Sequence, residues 1–217
     1  MSSYTLSFIK YLVGLRDAET TYTNAELQFV GTLAIGKKCI VEVGVREGVE
    51  SKVFCQNMDN GKLYLIDPYL CQVKLENLLN ISFTEFIAKQ HLRDYVNLIQ
   101  FVKMPSKAAA KYLNLKGKVD LIFIDLKHDY ESVFDNFSYW FPMLSPKGII
   151  VFPYSRLCQE RPGLNSNSGA IRLCDEIARG QYGEWQVVDT FEWITVISSS
   201  SNSSYEKLEK FSSSSLF

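Results

Sequence analysis

Four short apolar runs in this chain each stop abruptly at a residue with no place inside a sheet, and that repetition constrains the fold most. Cys39-Ile40-Val41-Glu42-Val43 runs into Gly44, Leu63 to Ile66 into Asp67, Val119 to Ile124 into Asp125, and Gly148 to Phe152 into Pro153. Such runs, rich in β-branched residues and largely without polar alternation, describe strands buried on both faces, as in parallel sheets. Between them Glu50 to Met58, Leu75 to Leu92, Ser106 to Leu113 and Tyr130 to Phe141 carry helical spacing. Val96 to Val102 supplies a further strand, and Gly169 to Ala178 a helix stopped by Gly180. Trp185 to Val188 with Trp193 to Ile197 reads as a closing antiparallel pair. The alternation predicts an α/β fold: a doubly wound parallel sheet with helices on both faces.

This core occupies residues 37–198. Residues 1–36 form an N-terminal helical extension, in which Leu6, Ile9, Leu12, Val13 and Leu15 fall near helical spacing. Thr23-Asn24-Ala25-Glu26 then reads as a capping box opening a second helix that ends near Gly36. Ser198 to Phe217 contains ten serines, so residues 199–217 are expected to form a flexible tail, with a phosphorylated regulatory segment as the alternative.

With 47% apolar and 22% charged residues and a net charge of −1, the 217-residue chain can fill a core and has no cationic excess to hold nucleic acid. Five cysteines without a Cys-x-x-Cys pair, some inside apolar runs, suit reduced core thiols and a cytoplasmic location. No apolar stretch approaches the ~18–20 residues that span a bilayer, and the N-terminus lacks a basic-then-apolar signal pattern, so neither membrane insertion nor secretion is expected.

In an open α/β sheet ligands lie beyond the carboxyl ends of the strands. Gly44 and Gly48 flank the turn after the first strand, where glycine permits positive φ and close backbone approach; a plain tight turn is the competing reading. Arg46 breaks the Gly-x-Gly-x-x-Gly of a dinucleotide site. Asp67, nineteen residues after Gly48, suits a carboxylate accepting ribose hydroxyls, or a loop cap. The buried run before Asp125 delivers Asp125, His128 and Asp129 to the same edge as base and orienter, metal ligands or amine contacts; Asp129 also suits an N-cap for the following helix. The Arg161 to Gly169 loop suits a substrate lid or a passive connector.

Taken together these places resemble the class I S-adenosylmethionine-dependent methyltransferases, over Cys39 to Ile197. Within them the chain is most similar to the small group whose segment after strand four reads Asp-x-x-His-x-Tyr, here Asp125, His128 and Tyr130. The resemblance implies a seven-stranded Rossmann-like sheet in the order 3-2-1-4-5-7-6 with strand seven antiparallel. It implies S-adenosylmethionine as cofactor, with Glu42, Gly44, Gly48 and Ser51 around its methionine part and Asp67 on the ribose. Met104 and Ser106 would flank the adenine, and Asp125 and His128 would face the methyl group and acceptor.

Two departures bear on the chemistry. Relatives in this group carry His-Asp after strand five where this chain has Pro153-Tyr154, and Gly-Asp where it has Leu126-Lys127. A hard cation wants several oxygen ligands, so no catalytic metal is expected. Methyl transfer to a small-molecule hydroxyl or amine would then rest on in-line placement, with His128 as general base helped by Asp125. The alternative is a catalytically inactive descendant with a binding or scaffolding role; a nicotinamide oxidoreductase is opposed by the glycine spacing. The N-terminal helices are expected to cover an acceptor pocket or to form a homodimer interface.

Overall fold

The computed structural model describes residues 2–126, 129–157 and 168–199. Its centre is a seven-stranded sheet in the order β3-β2-β1-β4-β5-β7-β6. β1 (Cys39–Val43), β2 (Lys62–Ile66), β3 (Ile99–Val102), β4 (Val119–Ile124) and β5 (Leu144–Phe152) pair in parallel. β7 (Ile194–Ser199) lies antiparallel between β5 and β6 (Trp185–Phe191). The fold and strand order are those expected. Strand order reverses between β1 and β4, which opens a crevice at their carboxyl ends.

The continuous apolar character of β1 follows from burial on both sides. Ile40 packs with Val30 and Leu33 of α2 (Asn24–Ala34) and Phe54 of α3 (Val49–Asn57). Val41 and Val43 join the opposite core with Ala109 of α6 (Ser106–Leu113), Phe137 and Trp140 of α7 (Tyr130–Trp140), and Leu173 of α8 (Gly169–Ala178). Cys39, Cys55, Cys71 and Cys174 are free thiols, and burial pushes Cys55 and Cys174 up to about 12. No helix among the described residues is long and apolar enough to cross a membrane.

Boundaries depart from expectation where long-range contacts decide them. The Leu75 to Leu92 stretch is two helices, α4 (Lys74–Leu79) and α5 (Phe83–His91), broken at Asn80 with φ 53°. The cause is Glu76, fully buried, whose carboxylate accepts the Val73 N–H at 3.0 Å and the Phe83 N–H at 2.6 Å. One acid thereby satisfies open amides at the start of both helices. Strand pairing also overrides composition at the chain's far end, where Ser198 and Ser199 belong to β7 opposite Gln186 and Trp185. The rest of the serine-rich tail lies outside the described residues.

The Thr23–Glu26 capping box forms in both directions. Ahead of it, α1 (Ser3–Leu12) docks on α5 by stacking Phe8 on Phe83 at 3.9 Å between centroids. The segment joining α1 to α2 crosses the carboxyl edge of the sheet.

Candidate functional site

Gly44 leaves β1 with φ +90°, and its N–H donates to the Ile66 carbonyl at 2.9 Å. A Cβ there would lie 1.9 Å from the Asp125 carbonyl oxygen, so glycine alone lets the loop pass the end of β4. Gly48, at φ +79°, caps α3 without a side-chain hydrogen bond. Three non-glycine residues beside the same edge, Arg46, Tyr69 and Tyr154, have φ of 51°, 47° and 53°. Each such conformation costs on the order of 1 kcal/mol, and strain of this kind collects at functional sites.

Asp67, just past β2, binds the glycine loop. Its Oδ2 accepts the Val45 and Arg46 amides at 3.1 and 3.3 Å, and Oδ1 accepts the Tyr69 amide at 2.7 Å. A carboxylate has about four acceptor positions, so one remains for a ligand hydroxyl. Glu42 sits below the loop, only 1% exposed, and accepts the Ser51 hydroxyl at 2.6 Å through Oε2 while Oε1 has no partner among the described residues. Burial pushes this carboxyl well above the usual range, as does nearby Glu50. Through Ser51 it ties β1 to α3.

Asp125 stands at the end of β4, its amide donating to the Val43 carbonyl at 2.8 Å. Its Oδ2 accepts the Tyr22 hydroxyl at 2.9 Å. Burial raises its pKa to about 7; the Tyr22 hydrogen bond and Arg46 pull it down, and Glu50 pushes it up.

Tyr22 belongs to a strap, residues 16–22, laid across the edge. Arg16 forks onto Glu47 with N–O distances of 2.8 and 2.9 Å, and the Glu19 amide donates to the same carboxylate at 2.7 Å. Thr20 donates to Glu50, and Thr21 bonds the Tyr154 hydroxyl. The Tyr22 ring lies 6.1 Å from Phe123 and Trp193 and 6.2 Å from Tyr154. Strap and sheet edge line a half-open cavity of about 460 Å³. Its wall takes Glu19, Thr20, Thr21 and Tyr22 from the strap, Gly44, Val45, Arg46 and Glu50 from the glycine loop and α3, and Asp67, Asp125, Leu126 and Tyr154 from strand ends.

Of the residues singled out in the sequence, Gly44, Asp67 and Asp125 meet in this cavity, while Glu42, Gly48 and Ser51 brace the loop from behind. Met104 and Ser106 do not line it: Met104 packs against the α6–α7 core, and the Ser106 hydroxyl accepts the Trp140 Nε1–H at 2.8 Å and bonds Asn136. Asp129 is an N-cap, accepting the Ser132 amide at 2.9 Å. His128 and Lys127 lie outside the described residues, as does most of the loop from Arg161 to Gly169. Sequence reasoning missed Arg16, Thr20 and Tyr22; an aromatic just before a capping Thr reads as packing, and their partners lie more than twenty residues away. A second hollow, of about 530 Å³, lies between α1, α3 and α5 around Lys52, Phe86 and His91, away from the carboxyl edge.

Residues 41–153 match a protein family described as methyltransferase domain. Comparison with curated protein sequences found no match. Among solved structures, one proposed as an O-methyltransferase of Klebsiella pneumoniae is 14% identical, covers 92% of this chain and 90% of its own, and superposes with a TM-score of 0.64. The O-methyltransferase of tomaymycin synthesis from Streptomyces achromogenes, in complex with S-adenosylmethionine, is 12% identical over 92% and 90% of the two chains, with a TM-score of 0.61. A Podospora anserina methyltransferase bound to S-adenosylhomocysteine is 16% identical over 92% and 88%, with a TM-score of 0.60.

Proposed function

Because this chain belongs to the methyltransferase-domain family, we propose that it moves the methyl group of S-adenosylmethionine to a hydroxyl or amine of a small-molecule acceptor. The observation that carries this reading is the meeting of Gly44, Asp67 and Asp125 in one cavity where strand order reverses. Similarity to structures holding S-adenosylmethionine or S-adenosylhomocysteine supports the choice of cofactor.

The donor set fits that cofactor. Four carboxyl side chains, Glu19, Glu50, Asp67 and Asp125, face the cavity against a single cation among the described residues, Arg46. Such a wall suits a sulfonium, an ammonium and ribose hydroxyls, and opposes the pyrophosphate of a dinucleotide. Asp67 would take a ribose hydroxyl at its remaining acceptor position. The Gly44 to Gly48 loop, braced by Glu42 and Ser51, would lie along the methionine part. Met104 and Ser106 would approach the adenine from β3, with Ser106 acting through its backbone because its hydroxyl is engaged.

Bound S-adenosylmethionine supplies an electrophilic methyl group on a sulfonium. What this chain adds is placement and a proton acceptor: His128 takes the acceptor's proton and Asp125 orients and charges the pair. The strap excludes water from the reacting centre. Metal-free chemistry is supported by Tyr154, which stands after β5 with its ring tilted against Trp193 at 4.3 Å between centroids and offers at that position a neutral phenol in place of a carboxylate. Reduced thiols support a cytoplasmic setting.

The test is transfer of labelled methyl from S-adenosylmethionine into a small-molecule extract. His128→Ala is expected to lower turnover about 100-fold or more with cofactor affinity unchanged. Unchanged turnover would remove His128 from the mechanism. Intact cofactor binding with no transfer by the wild type would favour the scaffold reading.

A further inference from the structure

The acceptor side of the cavity is chemically distinct from the cofactor side. The glycine loop and Asp67 come from β1 and β2, whereas Asp125, Leu126 and Tyr154 follow β4 and β5 and are roofed by Thr20 to Tyr22 of the strap. On that second side the functional groups are a carboxyl, two phenols and two threonine hydroxyls, with Glu50 close by through Thr20. Asp125 uses Oδ2 for the Tyr22 hydroxyl, and among the described residues nothing hydrogen-bonds its Oδ1.

Methylating a hydroxyl requires its proton to be drawn off, so negative charge gathers on the oxygen before the carbon–oxygen bond consumes it. Placed here, that charge would face Asp125 and Glu50, the like-charge arrangement that a recessed site penalises most. An ammonium meets the opposite situation: a carboxylate oxygen without a partner among the described residues, with phenol and threonine hydroxyl oxygens beside it that can accept an N–H. We propose that the acceptor is a small primary or secondary amine, bound as its ammonium ion at Asp125 between the Tyr22 and Tyr154 side chains. This inference rests on the methyl-transfer reading above.

The step balances without a further reagent. The ammonium passes one proton to the base assigned above. The freed nitrogen lone pair bonds to the methyl carbon as the carbon–sulfur bond breaks, its pair staying on sulfur. The products are the methylated ammonium and the thioether, with the proton on the base released later to solvent. Binding is also linked to pH. Asp125 titrates at about 7 with Tyr22, Tyr154, Glu50 and Arg46 around it, so an arriving cation displaces its proton near neutrality.

Calorimetric titration of the protein saturated with S-adenosylhomocysteine tests this, using propylamine, benzylamine and 2-phenylethylamine against propanol, benzyl alcohol and 2-phenylethanol. The expected result is that at least one amine binds about tenfold or more tightly than its matched alcohol, with proton release at pH 6.5. Asp125→Asn is expected to abolish the preference while S-adenosylhomocysteine still binds. Lys127→Met is expected to keep it; a preference that emerges only in that variant would make Lys127 the counter-ion of Asp125 and overturn the proposal. Alcohols binding as well as the amines, or no amine binding, with S-adenosylhomocysteine bound normally, overturns the amine assignment alone. Failure of S-adenosylhomocysteine to bind overturns both readings.

Discussion

Replacing Asp125 by Asn should make the protein more stable in a way that depends on pH. The folded-state pKa of Asp125 is about 7, against an ordinary value of about 3.9. A group raised on folding binds its proton more tightly in the native state. Its contribution is fully present below about pH 3.9 and is lost as pH rises to about 7. Each unit is worth about 1.36 kcal/mol, so between pH 5 and pH 8 the wild type loses about 2.7 kcal/mol from this carboxyl. Asn cannot ionise and still offers an oxygen to the Tyr22 hydroxyl, so the variant escapes that loss. For a chain of this length about 1 kcal/mol moves the melting point by roughly 2–4 °C. The gap between variant and wild type should therefore widen by roughly 5–10 °C from pH 5 to pH 8 in ligand-free thermal melts. Groups away from Asp125 act on both proteins alike, so the change in the gap reports Asp125 together with the neighbour its charge raises, Glu42. A gap that stays constant or narrows refutes the reasoning, because Asp125 would then hold no energetically exposed charge in the free protein.

Tyr22→Phe keeps the ring against Phe123, Tyr154 and Trp193 but removes the hydroxyl from Asp125. Loss of a hydrogen bond to the charged form should raise Asp125 by about one pH unit, seen as an upward move of the acidic limb of the pH–rate profile; an unmoved limb would make the hydroxyl structural only. Gly44→Ala combines positive φ with a Cβ 1.9 Å from the Asp125 carbonyl oxygen. It should cost about 2–5 kcal/mol in denaturant melts and abolish cofactor binding; a loss below about 1 kcal/mol would show that the loop can move aside.

The sheet could be read from the sequence because its strands are coded locally, by runs such as Ile40 to Val43 and Val119 to Ile124 that only a doubly buried strand explains. Gly44, Asp67 and Asp125 were legible for a related reason: the end of a buried strand is where an α/β sheet presents its ligand groups. The strap was not legible. Arg16 reaches Glu47 across 31 positions and Tyr22 reaches Asp125 across 103, and no spacing pattern announces contacts at such separations. The break at Asn80 escaped notice because apolar spacing continues through it, whereas buried Glu76 makes the break favourable. Ser106, an adenine neighbour by its place after β3, has its hydroxyl engaged by Asn136 and Trp140, contacts that no local pattern announces. His128 rests on its imidazole chemistry and its neighbours in sequence, and lies outside the described residues.

The central claim is that the cavity beneath the strap is the S-adenosylmethionine site, and calorimetric titration with S-adenosylhomocysteine, wild type beside Asp67→Ala, tests it most directly. Asp67 lines that cavity and fixes the glycine loop through the Val45 and Arg46 amides. Micromolar binding by the wild type and about tenfold or greater weakening in the variant is the expected result. No heat with the wild type, or equal affinity in the two proteins, would contradict it.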